Sequence, residues 1–248
     1  MSVAILTYHS LDDSDSVISV APGVFAAQMQ SLARLGVRVV PLDDVPSLLP
    51  TEEKAVAITF DDGFRNFREH AAPVLAHHGF SATVFLVTAH CGRDNGWATQ
   101  PVGVTPQPLL DWEEIRMLHA AGVRFGAHSV NHPVLTQISP ADAEAEMVES
   151  KLAIEAELGG SVDTFAYPYG ACDARTRRLA QQHFRIACGV HLGYATRQND
   201  LMELERLDMY YWRNQPDLSR LFSARTCAYV GLRARLRTAR GLLSGKSL

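Results

Sequence analysis

Apolar residues in this chain fall in short runs separated by stretches with helical spacing. Residues 3–8 (VAILTY), 55–60 (AVAITF) and 82–87 (ATVFLV) are near-continuous apolar segments. Runs of that length, bounded by polar residues, read as strands buried on both faces, as in parallel sheets. Shorter strands are expected at 37–40, 123–127, 164–167, 185–188 and 204–210. Residues 22–35 set Phe25, Met29, Leu32 and Leu35 at intervals of 4, 3 and 3, one face of a helix. Further helices are expected at 66–78 (ended by Gly79), 111–121 (capped by Asp111), 139–158 (opened by Ser139-Pro140) and 173–183. Residues 91–108, rich in Gly, Pro and polar side chains, read as a long surface loop, and the end of the chain reads as helical.

Strands alternating with helices imply an α/β fold with a largely parallel sheet. Seven or eight such units fit a barrel better than an open sheet. In a parallel barrel every strand C-terminus opens on one face, which holds the active site. Four polar clusters follow predicted strand ends here: His9, Asp61-Asp62, His128 with His132, and Pro168-Tyr169-Gly170.

These clusters supply the parts of a hydrolytic site. Asp61 and Asp62 precede Gly63, where the chain can turn and aim both carboxylates inward. Adjacent carboxylates push their pKa values apart, so one on a metal and one free as a base is a stable division; Asp-Asp-Gly is also simply a good turn. His128 and His132, four apart, can face one ion if the segment makes a helical turn. Two His and one carboxylate leave open positions, as a catalytic metal site requires. Such an ion would acidify a water, the spare carboxylate would take its proton, a backbone N–H near Tyr169 would hold the oxyanion, and a histidine would protonate the leaving amine. Of the ten histidines, His77, His78, His90 and His119 read as structural or solvated.

Composition narrows the field without naming a function. The 248 residues are 47% apolar and 20% charged, enough for a full core, and the net charge of −4 demands no nucleic-acid partner. The charge is uneven: seven basic residues (Arg220, Arg225, Arg233, Arg235, Arg237, Arg240, Lys246) and no acidic ones lie between Leu218 and Leu248. The division expected is a catalytic unit over 1–215 and a basic helical tail over 216–248, packed on or extending from the barrel: either a solvated amphipathic helix or a segment that touches anionic lipid, a phosphorylated substrate or an acidic partner. Four cysteines without a C-x-x-C pair argue against a zinc knot or disulfide framework. No signal sequence or membrane span is visible, so the expected location is the cytoplasm or the inner membrane face.

Thr59-Phe60-Asp61-Asp62-Gly63 resembles the first motif of the polysaccharide deacetylase (NodB-homology, carbohydrate esterase family 4) group. His128-Ser129-Val130-Asn131-His132-Pro133 resembles the second, and Phe165-Ala166-Tyr167-Pro168-Tyr169-Gly170 is similar to the third. The resemblance covers residues 3–210. It implies a distorted (β/α)7-type barrel and metal-dependent removal of an acetyl group from a carbohydrate. By this match Asp61 is the general base, Asp62, His128 and His132 hold one divalent ion, and Tyr169 contributes the oxyanion hole through its backbone. Zinc is the first expectation; nickel, cobalt and iron(II) suit the same ligands. Many relatives carry an Arg where this chain has Ala166, and Arg206 is the candidate substitute. The family's C-terminal Leu-x-His is not found after Tyr210; Leu6-Thr7-Tyr8-His9 resembles the N-terminal arrangement of biofilm-polysaccharide deacetylases, which makes His9 the general acid, with His191 as rival.

Trp112, Tyr167, Tyr211 and Trp212 are candidates to wall a sugar site. The expected substrate is an acetylated carbohydrate or glycolipid used in cell-surface or exopolysaccharide assembly, with no obligate protein partner. The alternatives are the same chemistry on a non-sugar amide, and a glycan-binding relative without catalysis.

Overall fold

The computed structural model describes residues 3–51, 53–100 and 104–244, with side chains as far as residue 237. Seven parallel strands close into a barrel: β1 (Val3–Tyr8), β2 (Ala55–Phe60), β3 (Thr83–Leu86), β4 (Arg124–Ala127), β5 (Thr164–Ala166), β6 (Ile186–Leu192) and β7 (Leu204–Asp208). The sheet runs in chain order from β2 to β7, and β1 closes it by pairing with both β7 and β2. The expected strand at 37–40 is two residues, Arg38–Val39, paired to the start of β2.

Alternation along the strands sorts side chains between two layers. Val3 and Ile5 of β1, Ala55 and Ala57 of β2, Phe85, Ala166, Ile186, Cys188 and Leu204 pack in one cluster, the barrel interior. Ala4, Leu6, Tyr8, Val56, Ile58, Phe60, Val84, Leu86, Ala127, Phe165 and Leu207 pack in the other, against the helices. Continuing the interior series past each strand end gives Thr7 and His9 from β1, Thr59 and Asp61 from β2, and Arg206 and Asp208 from β7. The fold thus aims those polar side chains at one mouth by the same period that buries the apolar ones.

The helices are α1 (Pro22–Leu35), α2 (Ala72–His78), α3 (Trp112–Ala120), α4 (Pro140–Leu158), α5 (Ala174–His183) and α6 (Ala224–Ser244). Caps occur where the residue types require them. Asp111 makes a reciprocal capping box with Glu114, Asp173 does so with Thr176, and Ser139 accepts from the Asp142 N–H. The helix expected at 66–78 is divided. Phe67–Ala71 is a π turn, in which the Ala72 N–H reaches the Phe67 carbonyl. Pro73 accounts for it: proline has no N–H for the Glu69 carbonyl and its ring crowds that group, so the turn before it widens.

The strand expected at 185–188 runs on to Leu192, with a register shift against β7: Leu204 pairs with Cys188, but Arg206 pairs with Leu192. This bulge in β6 frees the Gly189 carbonyl to accept from Arg206 Nε at 3.0 Å. Past residue 215 the chain stays on the barrel: Leu218, Leu221 and Val230 are buried in the outer core. No helix among the described residues is long and apolar enough to cross a membrane. Residues 101–103 of the expected loop, Lys246, and the Arg240 side chain lie outside the description.

Candidate active site

The β1–β2 ladder carries the site. Its register runs from Val3↔Ala55 to Tyr8↔Phe60, and the Asp61 N–H extends it by donating to the Tyr8 carbonyl at 2.9 Å. His9 and Asp61 therefore leave the barrel side by side, with His9 Nε2 3.8 Å from Asp61 Oδ2. The chain then turns sharply. Asp62 has φ 71° and Gly63 φ 77°, so the Asp62 carboxylate swings to the inner side although its parity in a strand would point it outward. A Cβ on Gly63 would lie 2.9 Å from Leu86 Cδ2, so glycine is needed there for space as well.

Arg206 meets Asp61 two-pronged. Nη1 donates to Oδ1 at 2.8 Å and Nη2 to Oδ2 at 2.7 Å, and both side chains are nearly inaccessible. Burial alone pushes the Asp61 carboxyl up, but the Arg206 guanidinium outweighs it and holds the group well below the usual carboxylate range. Ala166, in the third motif where the resemblance leads to the expectation of an Arg, packs in the interior. The guanidinium arrives from β7 instead.

Asp62, His128 and His132 form a buried triangle. Asp62 Oδ1 lies 3.4 Å from each Nε2, and the two Nε2 atoms are 3.3 Å apart. Ligand arms of about 2.0–2.1 Å in a tetrahedron give edges of about 3.3–3.4 Å. The spacing therefore fits one small divalent ion, and the donors are of the type such ions take. His128 Nδ1 lies 2.7 Å from the Ala166 carbonyl, to which it donates, and this leaves its Nε2 lone pair facing the triangle. The His132 ring is wedged between Trp97, at 4.2 Å between centroids, and Tyr169, at 4.5 Å. Burial holds His132 far below ordinary imidazole, at about 3, so it is neutral and its nitrogen is free to donate a lone pair.

The segment between the two histidines is pinned from several sides. Glu146 on α4 accepts from the Val130 and Asn131 N–H groups at 2.8 Å each and from Asn131 Nδ2 at 2.7 Å. Ser129 Oγ accepts from the His132 N–H at 2.9 Å, and Thr99 Oγ1 donates to the His132 carbonyl at 2.7 Å. Among the described residues the non-glycine positions with left-handed φ are Asp62, Ser129, His132 and Tyr169, all at this site. Each costs about 1–3 kcal/mol, a strain that persists only where the surroundings over-determine it. Glu146→Ala removes a main tether. It is expected to weaken divalent-ion binding by about 10-fold or more while the far-ultraviolet dichroism stays unchanged; competition against a chromophoric chelator reads the affinity.

A cavity of about 450 Å³ joins these groups. Thr7, His9, Asp61, Asp62, His128, His132, Tyr169 and Arg206 all line it. Tyr167 and Tyr211 line it as well; Trp112 and Trp212 do not, and both pack against the outer core instead. His191 lies within β6 rather than after it. It is half exposed, ion-paired to Glu203 at 2.8 Å and absent from the cavity wall, so the fold separates it from Asp61 and leaves His9 beside it. His77, His78, His90 and His119 do not line the cavity, although His90 packs edge-on against Trp97, which does.

The loop at 91–108 contributes more than a surface crossing. Its stem is held by Gly92 N to Leu110 O, Leu109 N to Arg93 O and Arg65 N to Pro108 O. Trp97 Nε1 donates to Tyr169 Oη at 3.0 Å, and Tyr169 Oη donates on to the Thr99 carbonyl at 2.8 Å. Tyr169 itself takes φ 57°, and a Cβ on the following Gly170 would clash with the Val190 side chain at 2.0 Å. Trp97, Thr99, Ser129 and Glu146 are absent from the sequence-based site; of these only Ser129, inside the second motif, carried a local signal.

Comparison with known proteins gives the family and the fold. The family model described as polysaccharide deacetylase matches residues 49–184. The protein YxkH of Bacillus subtilis (strain 168), which bears a polysaccharide deacetylase name, is 25% identical over 82% of this chain and 70% of its own length. A chitin deacetylase of Colletotrichum lindemuthianum is 31% identical over 52% of this chain and 47% of its own. Among solved structures, the Streptococcus pyogenes deacetylase PplD in complex with acetate aligns with TM-score 0.73 and 25% identity over 84% of this chain and 92% of its own. IcaB from Ammonifex degensii aligns with TM-score 0.73 and 22% identity over 87% and 97%, and shares the fold. The strand-end carboxylates and histidines at the mouth of a seven-stranded barrel, and the family match across more than half the chain, lead to one assignment: the chain belongs to the polysaccharide deacetylase family.

Proposed function

We propose that this protein is a metal-dependent deacetylase that hydrolyses an N-acetyl group of a carbohydrate, in cell-surface or exopolysaccharide assembly. The observation that carries the reading is the pairing, in one cavity, of a buried carboxylate clamped by Arg206 with a separate Asp-His-His triangle. A binding module has no use for the second carboxylate.

Asp62, His128 and His132 would hold the ion, which when bound acidifies water toward a pKa of about 7 and polarises an acyl oxygen. Asp61 serves as general base. Its Arg206 clamp keeps it ionised and fixes its two oxygens at the cavity wall, where it would take a proton from the attacking water. His9 sits at the cavity wall beside Asp61, its side chain a quarter exposed, where it can deliver a proton to the departing amine. Tyr169, in a left-handed turn on the cavity wall, would supply a main-chain N–H to the acyl oxygen. In this reading residues 1–215 carry the catalytic groups, and the basic segment 216–248, which packs on the barrel through Leu218, Leu221 and Val230, meets the inner membrane face.

The test is metal content and its removal. The protein is expected to bind one divalent ion per chain, zinc first, and His128→Ala to lose that ion. Chelation is expected to abolish acetate release from an N-acetylhexosamine oligomer, and added metal to restore it. Release that survives complete metal removal would overturn the metal-dependent reading.

A further inference from the structure

Helix α6 is more than a tail. Val230 anchors it in the outer core, while Leu232 and Leu236 face outward. Arg233 lies over the Tyr211 ring at 4.4 Å from its centroid and donates to Tyr229 Oη at 2.7 Å. Tyr211 is itself a wall of the active-site cavity. One helical turn beyond, Arg237 lines the same cavity as Asp61, Asp62, His128 and His132.

The cations around this cavity are differently engaged. Arg206 is committed to Asp61, and Arg233 to aromatic faces and a phenol. Arg237 makes no ion pair with a carboxylate among the described residues; its electrostatic neighbour is His191, whose protonation it opposes. A half-buried guanidinium on a cavity wall with no carboxylate partner favours an anionic ligand, and its planar fork matches the oxygens of a phosphate. The stretch from Leu218 to Leu248 has no acidic residue to compete for that anion, and the carboxylates of the cavity wall, Asp61, Asp62 and Asp208, come from β2 and β7 instead.

We infer that Arg237 forms an oxyanion subsite of the active cavity and that the substrate is an acetamido sugar bearing a phosphate. This rests on the deacetylase reading and deepens it: the amide end goes to the Asp-His-His triangle and the phosphate end to α6. The phosphate can belong to a free sugar phosphate or join the sugar to a lipid; the chemistry Arg237 recognises is the same.

Binding, measured separately from turnover, tests this. Metal-loaded protein is titrated calorimetrically with N-acetylglucosamine, with its 1-phosphate and 6-phosphate, and with an alkyl phosphodiester of the same sugar. At least one phosphorylated sugar is expected to bind about 10-fold or more tightly than the neutral sugar. Arg237→Gln is expected to erase that advantage while affinity for the neutral sugar and the melting curve stay as in the unaltered protein. Tighter binding of the alkyl phosphodiester supports the subsite with a lipid-linked substrate, and tighter binding of the plain sugar phosphate supports it with a soluble one. Equal affinity for neutral and phosphorylated sugars overturns the inference. So does a phosphate advantage that survives Arg237→Gln, which would place the oxyanion on the Asp-His-His triangle. Absence of acetate release from every compound, with the Arg237-dependent binding intact, would remove the deacetylase reading and leave the subsite standing.

Discussion

Asp61→Asn is expected to lower kcat by about 10²- to 10⁴-fold, the usual contribution of a general base, with divalent-ion binding retained. The substitution changes little in shape. The amide side chain would still fill the pocket and still accept one bond from Arg206, but it has no charge to take a proton. Asp62, not Asp61, stands in the triangle with His128 and His132, so the ion is expected to remain. Steady-state acetate release beside an equilibrium metal titration separates the two carboxylates. Loss of both activity and metal would mean that their roles are not divided as described.

Arg206→Met is expected to have the largest effect on stability. The substitution leaves Asp61 buried without its two-pronged partner, and breaking a buried ion pair from one side costs about 3–5 kcal/mol. Burial would then push the Asp61 carboxyl up, toward its neutral form. Activity is expected to fall with stability, since a protonated Asp61 cannot act as a base. Adding Asp61→Asn to Arg206→Met is expected to return part of the lost stability, because no uncompensated charge then remains. Thermal or urea unfolding of the two single variants and the double variant reads this coupling. Additive losses would mean that Arg206 acts through packing on Phe85, 6.0 Å from its ring centroid, and not through its charge.

Much of this site was legible because strand ends are. The runs VAILTY and AVAITF have no polar interruption beyond a single threonine each, so their ends, and hence His9 and Asp61, are sharply marked. The pairing of β1 with β2 then brings together residues 52 positions apart in sequence. His128 and His132 could be read as a pair, but their geometry depends on left-handed backbone at Ser129 and His132, which no helical pattern encodes. Arg206 was visible as a basic residue within a strand pattern; that it is buried follows from its interior parity, which requires knowing which neighbours face inward.

Other features left no such trace. Glu146 sits on a helix where a solvated glutamate would look the same, and only the fold shows its carboxylate under the Val130 and Asn131 N–H groups. Trp97 lies in a loop whose composition signals only irregularity, yet its ring packs on His132. His191 looked like a residue following a strand because Gly189 interrupts the apolar run. The strand in fact continues through a bulge, and that continuation carries His191 away from Asp61 to Glu203. In each case the missing information is a long-range contact that the local pattern does not contain.

The most direct test of the central claim is acetate release by the metal-loaded protein from N-acetylglucosamine, its oligomers and its phosphate esters, run beside a ureide and a cyclic amide. Acetate is expected from at least one acetylated sugar, lost on chelation, with no turnover of the non-sugar amides. Turnover of a non-sugar amide with none of any acetylated sugar would contradict it.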